Sequence, residues 1–441
     1  MLKRIDGKPD ENGASVKISE ASFPDVFVSG LEYGCPARGT WNIVHTGMLI
    51  PQAHQIFVCA AGCLRGVVLT AAEMHAEDRF STIEIRENNV LDGDMESLII
   101  DGVADIISKL PYKPPAILVY TSCIHHFIAC DLKYVYKTLR EKFPDISFTD
   151  CYMNPIMRKS GLNPDQLMRR QLYSLLEKRP LNKKAVNIIG NDLPTAETSD
   201  LVKMIKDNGF ILREINSCST YDEYQQMAEA SLNITYYAAA RAGGQTLSDR
   251  LGSQHVYIPV SYSYDEISLH MQLLADCLGI KCPDFSDRIS ECNHALDKLR
   301  NLIGNTKITI DYTLTPRPLS LARLLLDKGF RVTKIYLDSI SGEEKADFDY
   351  LKSEYPELML YATVHAKMRV LPRGSCEKII ALGQKAAYFC QSQNFVNIVE
   401  GGGLYGFDGI IRLTELMSEA FTETKDTQKL IQVKGWGCGC V

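Results

Sequence analysis

The sequence predicts an α/β fold of three Rossmann-like domains, each a parallel sheet flanked by helices. Short apolar runs rich in β-branched residues alternate with longer segments of helical period. One phrase, strand, helix, Asn-Gly-Phe or Lys-Gly-Phe, strand, occurs at 185–215 and returns at 307–338. The length of 441 residues, at roughly 150 per domain, suits two or three domains with sizeable cores.

The first domain is expected over 1–184. Its first clear strand is QIFVC, 55–59, followed by the turn AAG and a helical stretch, CLRGVVLTAAEMH, from Cys63. Next, DGDMESLIIDGVADIISKL puts Leu98, Ile99, Val103, Ile106, Ile107 and Leu110 on one helical face, behind aspartates suited to capping it. The strand AILVYT, 116–121, then runs into one helical stretch, CIHHFIACDLKYVYKTLREKF, from Cys123. Charge and proline in EKRPLNKK, 177–184, break the periodicity. The second domain, 185–303, opens on AVNIIG and the helix TSDLVKMIKDNGF, which Gly209 ends before the strand ILREI. The third, 304–424, repeats the phrase as KITIDYT, LSLARLLLDKGF and RVTKIYLD, and closes on the helix IIRLTELMSEAF from 410. Residues 425–441 read as a polar C-terminal arm.

Composition narrows the function classes. Apolar residues at 45% and charged residues at 23% are ordinary globular values, so neither disorder nor a fibrous repeat is indicated. A net charge of −6 gives no basic footprint for nucleic acid or an anionic membrane surface, so neither is expected as a partner. The opening MLKRIDGKPDENG has no apolar signal region, and no run approaches the ~18 apolar residues of a membrane span. A cytoplasmic location follows as an expectation. There, 14 cysteines among 441 residues are too dilute for a disulfide scaffold, and clustered thiols are more often metal ligands or redox groups.

Three cysteines stand where open parallel sheets gather ligands, at the carboxyl ends of strands. Cys63 and Cys123 each follow a strand and open a helix, and Cys35, in LEYGCPARGTW, lies in a Gly/Pro-bounded loop upstream. Helix N-terminal amides favour the thiolate, the form that ligates iron. The spacings of 28 and 60 residues match no compact ferredoxin or zinc-ribbon motif, but suit a site assembled from three separate loops. The plain alternative for any one of them is a buried thiol, since free Cys packs as a small hydrophobe.

The chain resembles the nitrogenase component 1 family, which includes the molybdenum–iron protein, the dark-operative protochlorophyllide reductase and cofactor-assembly proteins. The matching residues are Gly34-Cys35, Gly62-Cys63 with Gly66-Val67-Val68, and Thr121-Ser122-Cys123 leading to Ile128 and Asp131-Leu132. VNIIG at 186–190, STYDEYQQMAEASLNI at 219–234 and YGFDGI at 405–410 continue the match. The resemblance implies that Cys35, Cys63 and Cys123 ligate an iron–sulfur cluster, 4Fe-4S or P-cluster-like, held at a subunit interface and handled anaerobically. It further implies a homodimer, or a heterodimer with a homologous component 1-like subunit, and a transient ATP-dependent iron protein that delivers electrons. The family's cofactor anchors are missing: Tyr237 stands about where nitrogenase has a Cys, and Val396 near its His, so no molybdenum–iron cofactor is expected.

The function implied is that of an iron–sulfur oxidoreductase subunit reducing a substrate other than dinitrogen, or alternatively a non-catalytic assembly scaffold. A third class is a ligand-binding protein that packs its thiols or holds zinc. Cys59 and Cys130 lie near the trio and could add a ligand, as could the tail pair Cys438 and Cys440; the remaining seven cysteines are assigned to packing. His125 and His126 follow Cys123 in a first helical turn, where capping competes with donation to cluster sulfurs. EGGGLYG, 400–406, lacks the GK[ST] ending of a nucleotide loop, so ATP belongs to the partner.

Overall fold

Strands of a parallel sheet covered on both faces must be apolar throughout, and this governs the first sheet. The computed structural model describes residues 13–28, 30–35, 37, 42–154, 161–371 and 377–432, so Cys376, Cys438 and Cys440 lie outside the described residues. After β1 (Ser15–Lys17) come β2 (His54–Cys59), α1 (Ala61–Glu73), β3 (Phe80–Glu84), α2 (Met95–Lys109), β4 (Ala116–Ser122), α3 (Cys123–Phe127), α4 (Leu132–Lys142) and β5 (Ser147–Met153). β2 and β4 are buried along their whole length and pair in parallel, with Val58 opposite Thr121. The sheet runs β3-β2-β4-β5, all parallel.

Successive strand side chains point to opposite faces. Ile56, Val58, Ile117 and Val119 therefore join Ile99, Val103, Val135 and Leu139 on one face, while Phe57, Leu118 and Tyr120 meet Leu64 and Val67 of α1 on the other. Phe57 stacks on Tyr120 with ring centroids 4.0 Å apart. That second core continues through α5 (Pro164–Gln171) into the next sheet, formed by β6 (Asn182–Ile188), β7 (Ile211–Glu214), β8 (Ala230–Thr235) and β9 (Gln254–Tyr257) in the parallel order β7-β6-β8-β9. Both sheets belong to one compact unit, residues 41–194 and 204–259.

The other unit comprises 1–40, 195–203 and 260–434. Its sheet contains β10 (Lys307–Asp311), followed by α6 (Pro318–Asp327), β11 (Arg331–Tyr336), β12 (Met359–Tyr361), β13 (Ile379–Leu382), α7 (Gln384–Cys390) and β14 (Phe395–Val396); α8 (Gly406–Thr422) is the last α-helix among the described residues. The order is β1-β12-β11-β10-β13-β14, parallel except that β1 adds antiparallel at the edge, Ser15 opposite Tyr361. Three parallel sheets flanked by helices are thus present, the fold class the sequence predicts.

The repeated Gly-Phe phrase is a helix stop. Gly209 (φ 74°) and Gly329 (φ 78°) take the left-handed conformation. The amides of Phe210 and Phe330 then donate back to Ile205 O (3.2 Å) and Leu325 O (2.9 Å), closing each helix before the next strand. Two details differ from expectation. The stretch from Cys123 is two helices, broken where Ala129 turns left-handed (φ 52°) and restarted where the Asp131 carboxylate accepts the Tyr134 amide at 3.0 Å. Asp94 occupies the N-cap of α2 without capping it, because its carboxylate takes the Asn89 amide instead. Among the described residues no helix is long and apolar enough to cross a membrane.

At the start of β2, His54 is fully buried between Tyr112 OH (3.2 Å from Nδ1) and Ser81 Oγ (2.8 Å from Nε2). Burial, aided by the Arg79 charge, pulls its pKa down to about 4. Unfolded His takes a proton near pH 6.5, so as pH falls the unfolded state binds it first. Stability from this group is full above about pH 6.5, declines below it and levels off near pH 4; between pH 8 and pH 5 the loss is roughly 2 kcal/mol. Urea midpoints across that range should shift accordingly in the wild type and markedly less in His54→Gln.

Candidate functional site

In a doubly wound sheet the crevice where strand order reverses is left open between two loops and two helix N-termini. In the first sheet the reversal falls between β2 and β4, because the chain goes from β2 to β3 on one side and reaches β4 on the other. Cys59 ends β2, Cys63 lies in the first turn of α1, and Cys123 opens α3 directly after β4. Cys63 is exposed, Cys123 half-buried and Cys59 fully buried. The three thiols share one electrostatic neighbourhood: burial first, then the Cys63 and Cys123 sulfurs, push the Cys59 thiol up to about 12. Cys59 packs with Phe57, Leu64 and Val67, whereas neither Cys63 nor Cys123 is fully buried.

Cys35 lies in the other compact unit. Its loop is tied down by the Tyr33 amide on Val364 O (2.6 Å) and by Tyr33 OH against Tyr388 OH (3.2 Å). It is buried among Tyr336, Tyr361, Tyr388 and Phe389. The structure thus brings Cys63 and Cys123 together within one unit. Among the described residues no three His, Cys, Asp or Glu side chains converge as a ready metal site.

Cys130 does not share a helical face with Cys123, because Ala129 breaks the helix between them. Burial and the Glu96 carboxylate raise its thiol to about 12, and the Asp131 amide at 2.7 Å, with a lesser hydrogen bond from the Cys130 thiol, holds Glu96 below the usual carboxylate range. His125 caps rather than ligates: its Nδ1 accepts the Ser122 amide at 3.0 Å, a histidine version of the S-x-x-E capping box. That signal, Ser three residues before a polar side chain, was readable in the sequence. His126 is exposed beside the exposed Phe127 ring.

The other two reversals are filled by the chain's own charges. Between β6 and β8, Arg169 enters from α5, donates to Gly190 O and to Asp192 Oδ2 (2.6 Å), and lies 5.6 Å over the ring of buried Tyr237. Both members of that ion pair are essentially inaccessible. Between β10 and β13, the buried Asp311 carboxylate accepts the amides of Thr313 and Ala386, filling the mouth of α7. Gly383 (φ 114°) is required there, since a Cβ would come within 2.4 Å of the Asp311 carboxylate. The EGGGLYG segment spends its amides internally, Glu400 on Thr313 O (2.9 Å) and Gly401 on Leu314 O (2.8 Å), leaving no phosphate cradle in those groups. Nothing local in the sequence marked Arg169, Asp192 or Asp311.

Residues 39–422 match the family of nitrogenase component 1 type oxidoreductases, and the chain belongs to that family. Cys63 and Cys123 fall inside the matched span and Cys35 precedes it. Among solved structures the chain is similar to nitrogenase Cp1 at pH 6.5, with TM-score 0.63 and 14% identity over 90% of this chain and 95% of that one. It is also similar to nitrogenase Cp1 at pH 5, with TM-score 0.60 and 14% identity over 93% and 94%. Likeness at this identity concerns the fold. A search of curated proteins finds no match. Proteins of this family bind iron–sulfur clusters and are oligomers with an iron protein partner.

The donors of the first crevice fit such a group. Two soft sulfurs at adjacent strand ends, one in the first turn of the thirteen-residue α1, suit iron and leave its coordination incomplete on this unit alone.

The Arg169–Asp192 pair gives a stability test. Asp192→Ala leaves a buried guanidinium short of its nearest carboxylate and should cost ~3–5 kcal/mol, whereas the double replacement Arg169→Met with Asp192→Leu should cost clearly less. Urea midpoints of the two variants check the order.

Proposed function

We propose that the chain is an iron–sulfur oxidoreductase subunit that holds a cluster on Cys35, Cys63 and Cys123, receives electrons from an ATP-dependent iron protein and reduces a substrate other than dinitrogen. The observation that carries this reading is the first crevice: sulfur stands at a strand-order reversal of a component 1-type chain, exposed at Cys63 and half-buried at Cys123. A bound cluster would supply one-electron storage and transfer. The chain's residues do the rest. Cys63 sits in the first turn of α1, Leu64 and Val67 exclude water behind it, and Cys59 packs in the core beneath.

Three sulfurs leave a four-iron cluster short of a ligand, and an exposed Cys63 calls for a covering surface. A second chain, either another copy or a homologous subunit, supplies both; a Cβ added at the neighbouring Gly62 or Gly66 of α1 would meet nothing within 4 Å, so there is room for it. At the second crevice the ring of buried Tyr237 lies under Arg169 and brings no sulfur, which supports a reading without a molybdenum–iron cofactor.

Anaerobically purified protein should be brown, dimeric by light scattering, and contain iron with acid-labile sulfide. Cys63→Ala and Cys123→Ala should lose essentially all of both while keeping the wild-type circular dichroism. Cys59→Ala should keep its iron but unfold at lower urea, since it opens a small cavity in the core. Full iron in the Cys63 and Cys123 variants, or a monomer with its full cluster, overturns the assignment. Turnover with an ATP-hydrolysing iron protein separates the reductase from an assembly scaffold, which would carry the cluster without consuming substrate.

A further inference from the structure

Lys385, the second residue of α7, is 9% exposed, and a buried ammonium is costly unless a counter-charge meets it. Its place at the positive end of a helix adds to that cost. Burial works against the charge, yet the neighbouring groups leave its pKa above the ordinary lysine value, so the ammonium persists at neutral pH.

The ammonium donates to the hydroxyl oxygen of Tyr312, a neutral partner, and lies 5.1 Å from the centre of that ring. Among the described residues no carboxylate forms an ion pair with it. Asp311 and Asp338 act on it from farther off, and both are spent elsewhere. Asp311 accepts the amides of Thr313 (2.7 Å) and Ala386, and Asp338 accepts those of Thr363 (2.7 Å) and Val364 (3.1 Å). There remains Cys35. Its sulfur lies within electrostatic reach of Lys385, in a buried cage of Tyr336, Tyr361, Tyr388 and Phe389, the last two on α7 itself. A protonated thiol offers the ammonium no charge, whereas a metal-bound thiolate does.

We propose that Lys385 is a positioning residue for the iron–sulfur cluster, its ammonium serving as the counter-charge to the Cys35 thiolate and making the cluster easier to reduce. The inference rests on Cys35 being a ligand, as proposed above. Reduction adds negative charge, and a fixed cation held at low dielectric beside one ligand sulfur stabilises the reduced state more than the oxidised one.

The test uses full-length protein purified anaerobically with its iron, titrated with dithionite and redox mediators and followed by electron paramagnetic resonance, after iron and acid-labile sulfide have been counted. Lys385→Met removes the charge and keeps the apolar stem. At a fixed potential its ratio of reduced to oxidised cluster should fall roughly tenfold, a midpoint lower by about 59 mV for one electron. Lys385→Arg restores the charge and should recover most of that loss. Lys385→Gln repeats the measurement should Lys385→Met not fold. Loss of iron from both neutral variants, with wild-type circular dichroism and with iron kept in Lys385→Arg, also supports the counter-charge. An unchanged midpoint in an iron-loaded neutral variant, the same fall in Lys385→Arg, or iron lost from all three variants overturns this proposal alone. Wild-type protein without iron, or Cys35→Ala that keeps its full iron, overturns the ligand reading and this proposal with it.

Discussion

The reversal of strand order within each parallel sheet is the constraint on which the rest of this protein depends. Right-handed crossovers send helices to opposite faces on either side of one strand pair, so a crevice lined by loop amides opens there whether or not a ligand is wanted. Something stands in each. In the β10/β13 crevice it is Asp311, which accepts two backbone amides and makes a glycine at 383 obligatory. In the β6/β8 crevice it is the Arg169–Asp192 pair, with Gly190 O taking a further guanidinium N–H. In the β2/β4 crevice sulfur stands instead, exposed at Cys63 and half-buried at Cys123.

The contrast has an energetic meaning. Burying an ion pair recovers its desolvation cost only where geometry is good and remaining donors are met, so Arg169 and Asp192 stabilise little beyond what apolar residues would, yet each alone is a liability. Both are inaccessible, and the guanidinium lies 5.6 Å over the ring of Tyr237. The thiol crevice has the opposite economy. Cys63 at the surface contributes little to the fold, so that position is free to serve a bound group, while the adjoining Cys59 carries the packing.

Much of this was legible along the chain. β2 and β4 are continuous apolar runs because both faces are buried, and the Gly-Phe phrase marks helix stops because glycine alone takes positive φ without strain. Strand-end thiols stood out because apolar runs and helical periods locate strand ends well. The break at Ala129 was hidden: alanine rarely adopts the left-handed region, and the helical period resumes so soon after it that one helix and two look alike. That break, and no property of Cys130 itself, turns its thiol toward Glu96 and away from Cys123. For His125 the sequence left capping in competition with donation to cluster sulfurs, and its geometry is that of a cap.

By itself the sequence determined the fold class, the positions of the strands that organise the first sheet, and the placement of Cys63 and Cys123 after them, since each depends on short-range periodicity and turn chemistry. Tertiary structure decided what fills each crevice, because Arg169 with Asp192, Asp311 with Ala386, and Ser15 with Tyr361 are partners brought together across 23, 75 and 346 positions. It also decided which sulfurs face outward. A thiol's exposure is a property of the packed core around it, and that core is built from two sheets whose strands are scattered over two hundred residues.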